Sequence, residues 1–127
     1  MSNVLGYAIV AERQEDVQKL AERAIELQKE LTLEDKKRAE FRVFGPNEDG
    51  DSGIYFETQS WDCEITIKVV EDVVASFPEK KLAVYVTCEG PVCDKYVSEN
   101  GELVEVEPLK DEKGDYLRDE GYNILFP

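Results

Sequence analysis

The chain has 127 residues, 42% of them hydrophobic, and 29 acidic side chains against 15 basic ones, for a net charge of −14. That length suits one domain with its own core, and the apolar fraction excludes a disordered chain. The charge excludes direct binding to nucleic acid or to anionic lipid, where Lys and Arg must displace counterions, and favours a basic protein partner or plain solubility.

In chain order, "VLGYAIVA" (4–11) is apolar nearly throughout and reads as a strand at the centre of a sheet. The segment 12–31 repeats Val17, Leu20, Ala21, Ala24, Leu27 and Leu31 at three- and four-residue spacing, which predicts an amphipathic helix. Thr32 is placed to cap a further turn of helix over "LEDKKR". "FRVFG" (41–45) and "IYFETQS" (54–60) read as two strands of a long hairpin around the polar loop "GPNEDGDSG". The segment 62–77 carries both periods: Ile65, Ile67 and Val69 alternate, whereas Val69, Val70, Val73, Val74 and Phe77 follow helical spacing. Its length decides for a helix, closed by Pro78. "KLAVYVTCE" (81–89) is a strand, and 94–107 is a hairpin turning at Asn100-Gly101, two residues that tolerate positive φ. No internal repeat or linker is read from the chain.

This order predicts an α+β fold, a ferredoxin-like split βαββαβ sandwich with an antiparallel sheet and two helices on one face, plus a C-terminal β-hairpin. The domain spans 1–127, with 108–127 as a tail that docks through Leu125 and Phe126 or stays loose.

Catalytic chemistry finds little support. Histidine is absent, which removes the commonest general base and metal ligand together. No glycine-rich phosphate loop occurs, and the loop at Asn47, Asp49 and Asp51 lacks the glycine and glutamate of a calcium hand. Cys63, Cys88 and Cys93 are an odd number, so at most one disulfide forms; they are too few for a zinc site. Cys88 reads as a small hydrophobe on a buried strand and Cys93 as exposed. We therefore expect no catalytic residue, no metal and no cofactor. No basic flank leads into an apolar signal core, and no apolar run approaches the ~20 residues of a membrane span. A cytoplasmic, reducing setting without membrane contact is expected.

Two features remain for binding. Trp61, the only tryptophan, sits between strand and helix, where its ring either buries to hold the corner or anchors an interface. From Glu89 to Glu120 eleven acids face four bases, a net of −7. Glu99, Glu102, Glu105 and Glu107 on the hairpin, with Asp111 and Glu112 beyond it, are the candidate partner-binding acids. Strand spacing near 3.4 Å resembles the phosphate spacing of one DNA strand, so a carboxylate ridge here would mimic nucleic acid. Edge charge that blocks aggregation accounts for the same residues.

The residues Phe56, Glu57, Thr58 and Trp61, then Phe77-Pro78, Glu89-Gly90, Tyr96 and Gly101-Glu102 resemble, in order and spacing, the YubB-like ferredoxin-like family of plasmids and phages over residues 54–105. The chain departs from that pattern after Trp61, where "DCE" stands in place of prolines. The resemblance implies a ferredoxin-like fold and a mobile-element setting. Together these readings predict a non-catalytic acidic protein-binding module that docks on a basic partner surface. The partner classes that fit are a nucleic-acid-binding enzyme, inhibited as anti-restriction or anti-CRISPR proteins do, and a toxin neutralised by an immunity protein. A small enzyme is the remaining alternative.

Overall fold

A computed structural model describes residues 4–127. The fold is α+β: one six-stranded antiparallel sheet and three helices. The strands are β1 (Val4–Ala11), β2 (Phe41–Phe44), β3 (Ser52–Gln59), β4 (Leu82–Cys88), β5 (Val92–Glu99) and β6 (Glu102–Glu105). The helices are α1 (Val17–Gln28), α2 (Leu33–Arg38) and α3 (Glu64–Ala75). The sheet order is β2-β3-β1-β4-β5-β6. The β5–β6 hairpin extends the sheet edge beyond β4.

Strand β1 sits between β3 and β4 and bonds both along nearly its whole length. Its inward residues Tyr7, Ile9 and Ala11 are buried, and the register sets them beside Phe56 and Ile54 of β3 and Val84 and Leu82 of β4. Helices α1 and α3 close this face with Val17, Leu20 and Ala24 from one and Val69, Val70, Val73 and Val74 from the other. The β-branched run of α3 is helical because burial on this face outweighs the modest helix penalty of valine. Thr66, fully buried in α3, donates its hydroxyl to the Arg38 carbonyl at the end of α2. Thr32 caps α2 by accepting the Asp35 N–H at 3.1 Å, so 33–38 is a separate short helix.

The C-terminal segment corrects two expectations. It docks through Ile124, which is 8% exposed and whose N–H reaches the Val92 carbonyl, with Phe126 half-buried and Leu125 exposed. It also contains a repeat: "LKDEKGDY" (109–116) is followed by "LRDEGYNI" (117–124) with a period of eight. Leu117 N–H bonds the Leu109 carbonyl, Leu125 N–H the Leu117 carbonyl, and Leu109 N–H the Leu125 carbonyl, a closed ring of three equivalent leucines. The two repeats turn through the same loop, which the β2–β3 connection uses as well. In 47–51, 111–115 and 119–123 the first side chain, Asn47, Asp111 or Asp119, accepts N–H groups two and four residues on. A backbone pair closes each loop, and its fourth residue takes positive φ, as in a type I turn with a glycine bulge. An eight-residue period is far shorter than the roughly 20–50 residues of solenoid and propeller repeats.

In two loops the positive-φ residue is glycine, Gly50 and Gly114; in the third it is Tyr122, at φ 65°. Tyr122 is 71% exposed and has few contacts to lose. Tyr122→Gly is expected to raise the unfolding free energy by about 1 kcal/mol, read from urea denaturation, since a left-handed conformation costs an L-residue about that much. A variant less stable than the parent would contradict this.

Gly53 in β3 has the reverse character, because a Cβ there runs into the backbone carbonyl of Ile9. Backbone in the central strand cannot move aside as a side-chain tip does. Gly53→Ala is expected to lose about 1–3 kcal/mol by the same measurement.

The Lys80 ammonium, leading into β4, lies 3.0 Å from the Asp16 carboxylate ahead of α1, with both side chains largely buried. This hydrogen bond holds the Asp16 pKa below its ordinary value. A lowered carboxylate pKa stabilises the fold above the unfolded value near 4, and that contribution is lost as pH falls through the folded value. Asp16→Asn should therefore lower the urea midpoint at pH 7, with the gap to the parent closing below about pH 4. A gap that persists unchanged into acid would show that the ion pair is not its source.

Candidate ligand cleft between α3 and the sheet edge

Two helices cannot cover six strands. Antiparallel strands lie ~4.8 Å apart, so the sheet is about 24 Å across between its outer strand axes, whereas two packed helices span roughly 20 Å. The uncovered part falls over β4, β5 and β6. There α3 and the sheet leave a cleft of about 760 Å3. Its floor is apolar, from Val84 and Val86 of β4, Val70 and Ala75 of α3, and Leu103 of β6. Tyr7 and Tyr96 stand in it, brought together by register: Tyr7 lies opposite Val86, and Tyr96 opposite Val84, so both phenols belong to the helix-facing side.

Among the described residues four carboxylates line the cleft, Glu71 and Asp72 from α3, Asp94 from β5 and Glu102 at the hairpin end, and no Lys or Arg does. Asp72 is held by Lys68 at 3.2 Å across one helical turn. Asp94 accepts the Tyr96 hydroxyl at 3.4 Å. Among the described residues Glu71, Asp94 and Glu102 form no ion pair. Burial, with the nearby Cys63 and Tyr96, pushes the Tyr7 phenol up to about 12. The Tyr96 phenol is raised as well, by burial and then by Asp94 and Glu105. Both remain neutral hydrogen-bond donors at neutral pH. An apolar floor beneath unpaired carboxylates favours a ligand with an aliphatic or aromatic body and a cationic end.

The mouth holds a disulfide between Cys88 and Cys93, Cα atoms 6.0 Å apart. It spans the β4–β5 turn, where Glu89 (φ 53°) and Gly90 (φ 117°) reverse the chain. This corrects the expectation for Cys88: it lies exposed at the end of β4 and is bonded to a half-buried Cys93, leaving Cys63 as the free thiol. The alternation that predicts the strand does not show where β4 leaves the core.

The predicted binding acids are exposed, but the structure does not gather them. Glu99 and Glu102 are partners across the hairpin turn, Glu102 bordering the cleft and Glu99 a shallow groove with Val10 and Tyr85. Glu105 pairs across from Tyr96, and Glu107 follows the end of β6. Asp111 spends one carboxylate oxygen on its own turn, accepting the N–H groups of Lys113 and Asp115, and Glu112 is exposed in that loop. No single file of carboxylates therefore runs along the hairpin.

Trp61 is 70% exposed in a 3-10 turn, Ser60–Asp62, which corrects the reading of a ring buried to hold the corner. Charge fixes that corner instead. Arg38 bonds Asp62 at 2.6 Å and Asp35 at 2.7 Å, and Thr58 donates to the Asp62 carbonyl.

The sequence does not single out Tyr7, Glu71, Asp94 and Tyr96 as members of one site. The available signal was a tyrosine hydroxyl on an inward strand position, which must find a partner or a wet cleft. Comparison with known proteins finds no matching family model, no similar curated protein and no similar solved structure.

Proposed function

We propose that this protein is a non-catalytic binding module whose cleft takes a basic segment of a partner protein, one apolar side chain on the floor and Lys or Arg at the rim. The observation that carries the reading is the cleft lined, among the described residues, by four carboxylates and no Lys or Arg, over a floor of Val, Ala and Leu. The net charge of −14 draws a basic partner from a distance and speeds the encounter; the cleft supplies local selectivity. The scattering of Glu99, Glu105 and Glu107 favours the cleft over mimicry of a nucleic-acid backbone.

The scaffold in this reading is a ferredoxin-like split βαββαβ unit made of β1, α1, β2, β3, α3 and β4, to which β5 and β6 add the wall that completes the cleft. The order β2-β3-β1-β4 within the sheet supports it. The resemblance over residues 54–105 to the YubB-like family of plasmids and phages suggests an accessory or inhibitor protein of a mobile element, with a toxin or a nucleic-acid-binding enzyme as the basic partner.

The test is fluorescence anisotropy with labelled peptides that place one Leu or Met between Arg residues. Binding should weaken with added salt, and Glu71→Gln with Asp94→Asn should weaken it about tenfold or more. Val86→Trp, which fills the floor, should abolish it. Equal affinity for a peptide without the central apolar residue, or no response to the carboxylate substitutions, would overturn the cleft as the site.

A further inference from the structure

The face of the sheet away from α1 and α3 carries a second pattern. Register places Arg42, Tyr55, Ala8, Tyr85 and Lys95 opposite one another on five neighbouring strands, a straight row across the sheet. The Arg42 guanidinium lies 5.1 Å from the Tyr55 ring centre and the Lys95 ammonium 5.2 Å from that of Tyr85. The Tyr55 hydroxyl reaches over Gly6 to Thr87, so its ring extends across β1. Two residues along each strand lies an apolar row of Phe44, Val10, Ala83, Val97 and Val104. The next step is charged: Glu12, Asp51, Lys81 and Glu99 line one groove with Val10, Ala83, Tyr85 and Val97, and register sets Glu102 beside Glu99 at the end of that row. Among the described residues no helix packs on this face; the helices bury their apolar residues against the other.

These three rows are self-complementary. A two-fold axis lying in the interface along the apolar row leaves each strand position facing itself and exchanges the rows on either side. The apolar row then packs on its own copy, the Lys95 row faces the Glu99 row, and Lys95 lies across from Glu99 of the second copy because both belong to β5. By the same operation Tyr85 faces Lys81, both at the β4 position. The strands of the two sheets run antiparallel, compatible with the aligned packing of two sheets. Three rows two residues apart on six strands cover about 500–600 Å2 per copy at ordinary strand spacing, near the roughly 1,000 Å2 in total that a specific interface needs.

We propose that the open face is the interface of a two-fold dimer of this chain, the apolar row in its middle and Lys95 of each copy paired with Glu99 of the other. Of the possible occupants, a second copy is favoured because this one surface supplies matching apolar area and, on β5, both signs of charge in the positions the symmetry demands. A nucleic acid stacked on the two tyrosines would meet a chain of net charge −14.

Sedimentation velocity of the intact chain across a concentration series tests this. The parent should reach a dimer. Lys95→Glu sets Glu against Glu in the pair and Glu99→Lys sets Lys against Lys, so each alone should weaken dimerisation about tenfold or more. The double variant K95E/E99K should recover it, and an equimolar mixture of the two single variants should form a heterodimer. Circular dichroism confirms that each variant folds. A parent that stays monomeric, single variants that dimerise as the parent does, or a double variant no better than the singles would overturn the proposal. So would a monomer that retains a single-stranded oligonucleotide in a manner lost in Tyr55→Ala.

Discussion

Everything in this fold hangs on the hydrogen bonding of β1 to two neighbours at once. Pairing on both edges fixes the register of β3 and β4 relative to it, and register in a sheet decides the face of every side chain. On the inner side this sets Tyr7, Ile9 and Ala11 among the large residues of β3, β4 and the helices. On the outer side it leaves Gly6, Ala8 and Val10, three small residues in a file down the middle of the sheet. That file is why the Tyr55 ring has room to extend over the strand. At Gly6 even a methyl group would strike the Tyr55 and Thr87 hydroxyls.

Width is the second constraint. A four-stranded sheet would be covered by α1 and α3, and the β5–β6 hairpin adds strands without adding a helix. The resulting step in the helix-facing layer is the cleft. Its acidity comes from two sources that meet only in the fold: the solvent-facing edge of α3, which supplies Glu71 and Asp72, and the hairpin, which supplies Asp94 and Glu102. Neither segment stands out from the general acidity of the chain. Hence the charge of the chain was readable while the site was not.

The elements themselves were largely legible. Apolar runs with turn residues between them locate all six strands, and the three-four spacing of 12–31 locates α1. The ambiguous 62–77 resolves as a helix because it lies against a sheet already formed on its buried side, so its surplus of β-branched residues finds packing instead of exposure. What the pattern of single residues lacks is pairing information. The Cys88–Cys93 bond depends on how sharply the β4–β5 turn reverses, and Glu99 and Glu102, direct partners across the hairpin turn, border different depressions only because that turn stands between the groove and the cleft. The exposure of Trp61 follows from a corner held by Arg38, Asp35 and Asp62, three charged residues whose meeting is set by the packing of α2 against α3. The eight-residue repeat, by contrast, was fully present in the letters; each unit carries its own turn and needs only the ring of leucine amides to assemble.

The two surfaces assigned here oppose each other across the sheet, and that placement matters energetically. The cleft lies on the helix-facing side and the tyrosine row on the other, so a dimer through the open face turns its two clefts outward, away from the interface. On the two proposals together, a partner carrying two basic segments would meet two sites on one body, its second contact forming at an effective concentration set by the tether between the segments. The arrangement also places charge where it costs least. The carboxylates without ion pairs stay at the solvated rim of the clefts, whereas on the surface that must be dehydrated on association Glu99 lies opposite Lys95 of the second copy. For an acidic chain to associate with itself this is the requirement that long-range repulsion imposes. Net charge is screened within about 8 Å at physiological salt, so the association is decided by the few groups in contact, and those are the ones β1 has placed.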